Sequence, residues 1–383
     1  MTQPSIDVIS ARRAWRRIAP LLAAAAASLL VLSGCASKPP HARRQASATT
    51  STSSGGAVPT DFAPESLTAV GERDYWLLGR VPCNRTRCHA ILHTTDGGKS
   101  FVSMAAPPLP ENGSVPMLRF ADRRDGFAYV LQVGGVLYAT HDGGARWVRL
   151  TIGDVLQFTT AGRHAYAITA RCSTVRCRHY RFQRTLVTGN RWAATALPFT
   201  ADGSLFGLAA RGPKVLLLGT RASKGAMAHD ELGRSSNGGR TFITGPGPCY
   251  AGLGGELAPG SPRVIWAVCP TGLLAGAWRS IDGGVSFARL KTPALANSAL
   301  VAPASERVAV LFGNGAGARL LRTTDGGGTW TAAKTPRAAT DIQSVDFSSA
   351  KVGAVLVQVR GRQTNVFWRT TDGGAVWSQV PLR

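Results

Sequence analysis

Cys83, Cys88, His89 and His93 fall close together in the chain, with a spacing loosely like that of a zinc site. Two features weigh against metal. On a strand, His89 and His93 would share a face yet stand about 13 Å apart along it, and the second cysteine pair, Cys172 with Cys177, has only His179 beside it. A second group is arginine. Arg85 and Arg87 lie within the first cysteine pair, Arg171, Arg176 and Arg178 lie at or within the second, and Arg181 and Arg184 follow. A guanidinium is a planar fork matched to carboxylate and phosphate, so these loops read as anion-binding candidates; the bland alternative is a solvated basic rim. The third group is carboxylates. Two-carboxylate glycoside hydrolysis needs a pair roughly 5–10 Å apart, and few of the 21 Asp and Glu residues remain once those with a structural role are set aside. No catalytic residue, metal or cofactor is expected.

The N-terminus sets where these residues work. Arg12, Arg13, Arg16 and Arg17 precede an apolar stretch, Ile18 to Leu32, of 15 residues, which is short of the ~17–25 that span a bilayer. Charged residues, a short apolar run and small residues before a cleavage point form a secretory signal over 1–34. Leu32-Ser33-Gly34-Cys35 resembles the bacterial lipobox, which makes Cys35 the expected lipidation site and places the protein on the extracytoplasmic face of a membrane. After Cys35, the Ser-, Thr- and Pro-rich run to residue 60 reads as a disordered tether. The whole-chain charge of +23 loses four arginines and one aspartate with residues 1–34, leaving +20. A surface that basic attracts anionic polymers and lipid headgroups. Export argues against nucleic acid, and leaves an anionic envelope polymer or a membrane protein as partner; a monomer is expected.

From residue 61 the chain repeats one short motif. It reads Thr94-Thr95-Asp96-Gly97-Gly98-Lys99-Ser100-Phe101 in its first copy and Thr370-Thr371-Asp372-Gly373-Gly374-Ala375-Val376-Trp377 in its last. Asp142, Asn237, Asp282 and Asp325 hold the same place in four others, and Val187 holds it in a decayed copy that keeps Thr185, Gly189 and Trp192. The intervals are 46, 45, 50, 45, 43 and 47 residues, the length of a four-stranded propeller blade. Short β-prone runs surround each copy without helical period. In the last repeat they are Ile342–Phe347, Val352–Val359, Val366–Arg369 and Trp377–Val380; in the second, Leu118–Phe120, Gly126–Leu131, Val136–Thr140 and Trp147–Leu150. The expected fold is all-β: a seven-bladed propeller over 61–383, each blade complete within itself, its first inner strand near Ser66 to Val70. Whether residues near Val58 add a closing strand is left open.

The motif resembles the Asp-box, or BNR repeat, of sialidases, xyloglucanases, sortilin-type receptors and the photosystem II assembly factors of cyanobacteria and chloroplasts. The resemblance implies a fold and no single chemistry. On it, Asp96, Asp142, Asn237, Asp282, Asp325 and Asp372 organise turns, because equivalent turns cannot all be one active site. A sialidase would also need an arginine triad, a Tyr with a Glu, and the Arg-Ile-Pro signature, to which Gly79-Arg80-Val81-Pro82 is the nearest approach. The tyrosines at 75, 129, 138, 166, 180 and 250 do not map onto such a site, and Glu231 or Glu256 as partner is a guess.

Six cysteines remain once Cys35 is set apart, and an even number in an exported chain implies disulfides. Local pairing is expected, each pair inside one blade: Cys83–Cys88 and Cys172–Cys177 between second and third strands, and Cys249–Cys269 between the first and second strands of blade five. The first two would each contribute ~2 kcal/mol. Their loops share a face with inter-blade connections such as Ala106 to Gly113 and Gly245 to Gly255, opposite the glycine turns. The expected function is a tethered binding scaffold that recognises an anionic polymer or protein partner through that face. The alternatives are a sialidase-like glycoside hydrolase and an assembly factor for a membrane complex.

Overall fold

The computed structural model describes residues 55–83, 86–110, 115–131, 134–173, 176–200, 206–219, 228–296, 299–313, 320–362 and 364–383, with backbone alone at 86, 87 and 206. The signal 1–34, Cys35 and the tether to 54 lie outside the described residues.

Seven antiparallel sheets follow one another along the chain, each a meander of four consecutive strands. Their inner strands are Ala63–Ala69, Met117–Phe120, Asp154–Ala161, Phe206–Arg211, Glu256–Pro259, Leu300–Pro303 and Ala339–Phe347. Each inner strand neighbours the next, and the seventh returns to the first, so the sheets form a seven-bladed propeller. The second strands are the apolar layer of each blade. Tyr75 to Leu78, Ala165 to Ala170 and Ala354 to Val357 are buried on both faces, because each blade is sandwiched between two others. Blade five carries an extra two-residue strand, Leu295–Ala296, paired with Leu274 and Ala275 of its third strand.

The ring closes without sharing a strand. Blade one uses Ala63 to Ala105 and blade seven uses Ala339 to Gln379, so each is complete. Across the joint, Asn365 Nδ2 donates to Pro64 O at 2.9 Å, Ser344 Oγ to Leu67 O at 3.4 Å, and Arg369 Nε to the Tyr75 hydroxyl at 2.9 Å. Leu67, Tyr75 and Phe101 pack there against Ala354, Leu356 and Phe367, with Val58 at the edge. The final residues of the expected tether do not run free: Gly56 exchanges two backbone hydrogen bonds with Ser103 in the outer strand of blade one, at 2.9 and 2.8 Å.

The repeated turns join third to fourth strands. Thr94 Oγ1 donates to Asp96 Oδ1 at 2.7 Å and accepts from Gly98 N at 3.0 Å, while Asp96 accepts from Lys99 N, Ser100 N and the Ser100 hydroxyl. These donors, the Ser100 hydroxyl foremost, hold the Asp96 carboxyl below the usual range. Asn237 makes the same pattern uncharged, accepting from Ser235 Oγ, Arg240 N and Thr241 N. The second glycine is there for space as well as for backbone conformation. A Cβ on Gly239, φ +74°, would meet the Phe182 ring of the preceding blade at 2.6 Å. Each turn also donates a backbone N–H to the hairpin between first and second strands, as in Gly97 N to Arg73 O and Gly283 N to Arg263 O. Blade three keeps this bond with Val187 N to Arg163 O. There the missing carboxylate is replaced by apolar packing, with Val187 buried beside Phe127 and Phe158.

Two disulfides lie inside blades: Cys83–Cys88 and Cys172–Cys177 each close a hairpin between second and third strands. The third corrects the sequence reading. Cys249 belongs to the outer strand of blade four, Ile243–Tyr250, and bonds Cys269 in the second strand of blade five, Ile265–Pro270. It therefore staples two blades together. The glycines and prolines at 245–248 suggested a connection, but an outer strand has one unpaired edge and tolerates proline there.

Candidate functional site

In a four-stranded meander, the first and third hairpins share one end of the sheet and the second hairpin shares the other with the inter-blade connections. The backbone bonds from glycine turns to first hairpins confirm this, and the molecule thus has a turn face and a hairpin face. Between them, residues of all seven inner strands line a central cavity of about 690 Å3.

Arg119 projects into that cavity from Met117–Phe120, with Nη1 3.3 Å from Asp346 Oδ2 across the ring seam. Tyr129 stands beside Arg119; burial raises its phenol, and the guanidinium opposes that rise. Glu256 accepts from Val301 N at 3.4 Å. Burial pushes its carboxyl up to about 7, against the lowering effect of that bond. Arg211 Nη1 donates to Pro259 O at 3.4 Å. A sialidase-like centre needs three arginines and a tyrosine activated by a glutamate. The described lining holds two arginines, and its one tyrosine leans on Arg119.

The hairpin face is built differently. In blade three, His164–Cys172 and Cys177–Leu186 pair with Arg171 directly opposite Arg178, next to the Cys172–Cys177 bond. Ser173 N donates to Arg176 O at 2.8 Å, tightening the tip, and Asp154 ties the hairpin base by accepting from Cys172 N and Gly134 N, each at 2.8 Å. Arg171, Arg176 and Arg178 are all exposed. Like charges directly opposite on a strand pair repel, and the adjacent disulfide fixes the backbone that places Arg171 and Arg178 opposite each other. Lys291, just beyond the outer strand of blade five, and Arg360 and Arg362 in blade seven are exposed toward the same face, and Arg289 is exposed in that outer strand.

The two faces differ in charge. Among the described residues, every exposed carboxylate except Asp61 sits on the turn face: Glu72, Asp122 and Glu306 in first hairpins, and Asp142, Asp282, Asp325 and Asp372 in glycine turns. Several arginines near that face are consumed structurally. Arg234, Arg279, Arg322 and Arg369, each three positions before the turn Asp or Asn, donate to backbone oxygens of the next blade: Gly284, Glu306, Gly373 and Glu72. Arg123 makes a bidentate bond to Asp74, at 3.1 and 2.7 Å. Among the described residues, exposed arginines on the hairpin face outnumber exposed carboxylates there, with half-buried Asp154 at the blade-three hairpin.

Of the sequence candidates, Arg171, Arg176 and Arg178 come together on one hairpin. Arg181 is exposed further along the strand, and Arg184 is half-buried in the blade, away from the tip. Arg85 lies outside the described residues, and Arg87 pairs through its backbone with Pro82. Cys83 and Cys88 are oxidised to each other, so neither thiolate is free for zinc; His93 instead stacks on Trp76 at 3.8 Å, and burial lowers its pKa. Sequence reading missed the cavity residues Arg119 and Asp346, and reached Glu256 only as a guessed partner for a tyrosine. The available signal was a charge inside a short apolar inner strand, as in Leu118-Arg119-Phe120.

No family description matches this chain, and no curated protein matches it. Solved structures do. YCF48 from Cyanidioschyzon merolae is similar at 17% identity and a TM-score of 0.53, over 80% of this chain and 96% of its own. YCF48 bound to a D1 peptide is similar at 16% and 0.51, over 83% and 96%. The β-propeller domain of the Trilobed protease from Pyrococcus furiosus, described as having an open velcro topology, is similar at 7% and 0.52, over 84% and 98%. At these identities the likeness is one of fold.

Proposed function

We propose that this chain is an exported, Cys35-anchored Asp-box propeller that works as a binding scaffold, holding an acidic segment of a protein partner against its hairpin face. One observation carries the reading: among the described residues the exposed charge of that face is predominantly positive, and a disulfide fixes the backbone beside Arg171 and Arg178. A hairpin whose backbone is already fixed loses little freedom on presenting guanidiniums to carboxylates. The structure of YCF48 with a D1 peptide supports the idea that such a propeller can take a peptide partner. The test is fluorescence anisotropy with a labelled oligoglutamate peptide. Binding should weaken with salt and fall at least tenfold in R171Q/R176Q/R178Q, while R263Q/R307Q on the turn face should bind as the parent does; equal loss in both variants would refute the assignment.

A hydrolase reading rests on Glu256, whose carboxyl near pH 7 suits a general acid. Its would-be partner Asp346 is already engaged by Arg119. Hydrolysis of fluorogenic sialosides or β-glucans, abolished in E256Q, would establish it.

A further inference from the structure

The Cys249–Cys269 staple joins two strands, and in the turn that follows each, four residues beyond the half-cystine, stands an exposed leucine, Leu253 and Leu273. Leu273 is 92% exposed, and Leu274 and Leu253 are 51% and 43% exposed. An isolated surface leucine is ordinary; three in the turns that follow two stapled strands, at one end of one joint, are not scattered. Both turns are rigid. Thr271 N and Oγ1 both donate to Leu274 O, at 2.7 and 3.1 Å, and Gly272 takes φ +107°. Leu253 N donates to Tyr250 O at 3.2 Å, and Gly252 N to the buried Asp230 carboxylate at 3.2 Å. These bonds fix the backbone that presents both leucines.

At the foot of the Leu273 tip is a cavity of about 470 Å3 lined by Thr271, Leu274, Arg289 and Lys291. Arg289 is steadied by its stack over Trp278, 5.7 Å from the ring centroid. Both cations are exposed, Arg289 in the outer strand of blade five opposite Trp278 and Lys291 just beyond it toward the hairpin face.

We propose that this corner of blades four and five docks on an anionic phospholipid bilayer, with Leu253, Leu273 and Leu274 entering the interface and Arg289 and Lys291 taking lipid phosphates. Apolar tips above a basic collar match the layering of such a membrane, in which headgroup phosphate overlies hydrocarbon. An acidic protein partner would satisfy the cations but leave the leucines in water. The docking turns the hairpin face toward the membrane, and it does not depend on the Arg171–Arg178 hairpin binding peptide.

The test uses the full chain, held by its own N-terminal segment in vesicles of phosphatidylglycerol and phosphatidylcholine. L273W, compared with I281W on the turn face (Ile281 is 60% exposed), reports insertion through quenching by lipids brominated on their acyl chains. The added fluorescence of L273W should be quenched and that of I281W not, and quenching should vanish in phosphatidylcholine alone. A basic side chain near an anionic surface contributes roughly fivefold to association, so R289Q/K291Q in the L273W background should lower the ratio of docked to undocked molecules on the order of twentyfold. Absence of quenching in L273W, or equal quenching in both tryptophan variants, overturns the proposal. Oligoglutamate binding measured on the same samples reports the peptide site separately.

Discussion

Glu256→Gln should stabilise the protein at pH 8 and leave it almost unchanged at pH 4. Folding encloses the carboxylate within the ring of inner strands and lifts its pKa from an ordinary 4.5 to about 7. At about 1.4 kcal/mol per pH unit, that gap corresponds to a ceiling of roughly 3 kcal/mol. The cavity opens to solvent, which reduces the expected effect to about 1–2 kcal/mol. The sign follows from linkage. Because the folded value lies above the unfolded one, folding favours the protonated acid. Glu256 therefore costs nothing below about pH 4, destabilises progressively as pH rises from 4.5 to 7, and reaches a plateau beyond. Glutamine keeps an oxygen for Val301 N and carries no charge at any pH. Urea unfolding followed by tryptophan fluorescence at pH 4, 6 and 8 should show the variant's advantage opening between the first two values and levelling by the third. An advantage of equal size at pH 4 and pH 8, or a loss at pH 8, would refute the argument that burial governs this carboxyl.

Other perturbations test other parts of the fold. C249S/C269S should cost roughly 3 kcal/mol from the loop entropy it releases, read as a lower melting temperature that reductant does not lower further at this joint. D282N removes a carboxylate held below the usual range chiefly by the Ser286 hydroxyl. The stability that group contributes is present above its unfolded pKa and is lost on acidification, so the variant should be less stable at pH 7 and flatter between pH 5 and 3 in equilibrium unfolding. G239A puts a Cβ at positive φ within 2.6 Å of Phe182 and should cost about 1–3 kcal/mol by denaturant titration. R178T relieves the repulsion from Arg171 and should raise stability by a few tenths of a kcal/mol, while weakening oligoglutamate binding.

The blades were legible because one turn recurs with glycines in fixed places and strands alternate around it. Seven sheets, their order and the strands of the second and last repeats follow from that periodicity, with boundaries shifted by one to three residues at most ends. What the period could not convey was anything that crosses between blades. Cys249 was assigned to the wrong sheet because Gly245-Pro246-Gly247-Pro248 suggests a connection, and only the pairing of Pro246 with Glu231 reveals a strand. Arg119 and Asp346 are separated by 227 residues and meet because blades two and seven both flank blade one. The arginines at 234, 279, 322 and 369 repeat in register, yet their partners lie one blade onward, a relation that local spacing does not encode. The hairpin arginines were legible as a cluster, but how few exposed carboxylates share their face required knowing which end of each sheet the described acids occupy.

The seam between the first and last blades carries hydrogen bonds and packing but no shared strand, while a covalent clamp fixes the joint between blades four and five, nearly opposite on the circle. The domain is thus built like a bracelet with a clasp and a welded link. Partial opening should begin at the clasp, with amide exchange fastest along Pro64 to Leu67 and Ser344 to Asp346, and the two arms should swing about the weld without coming apart.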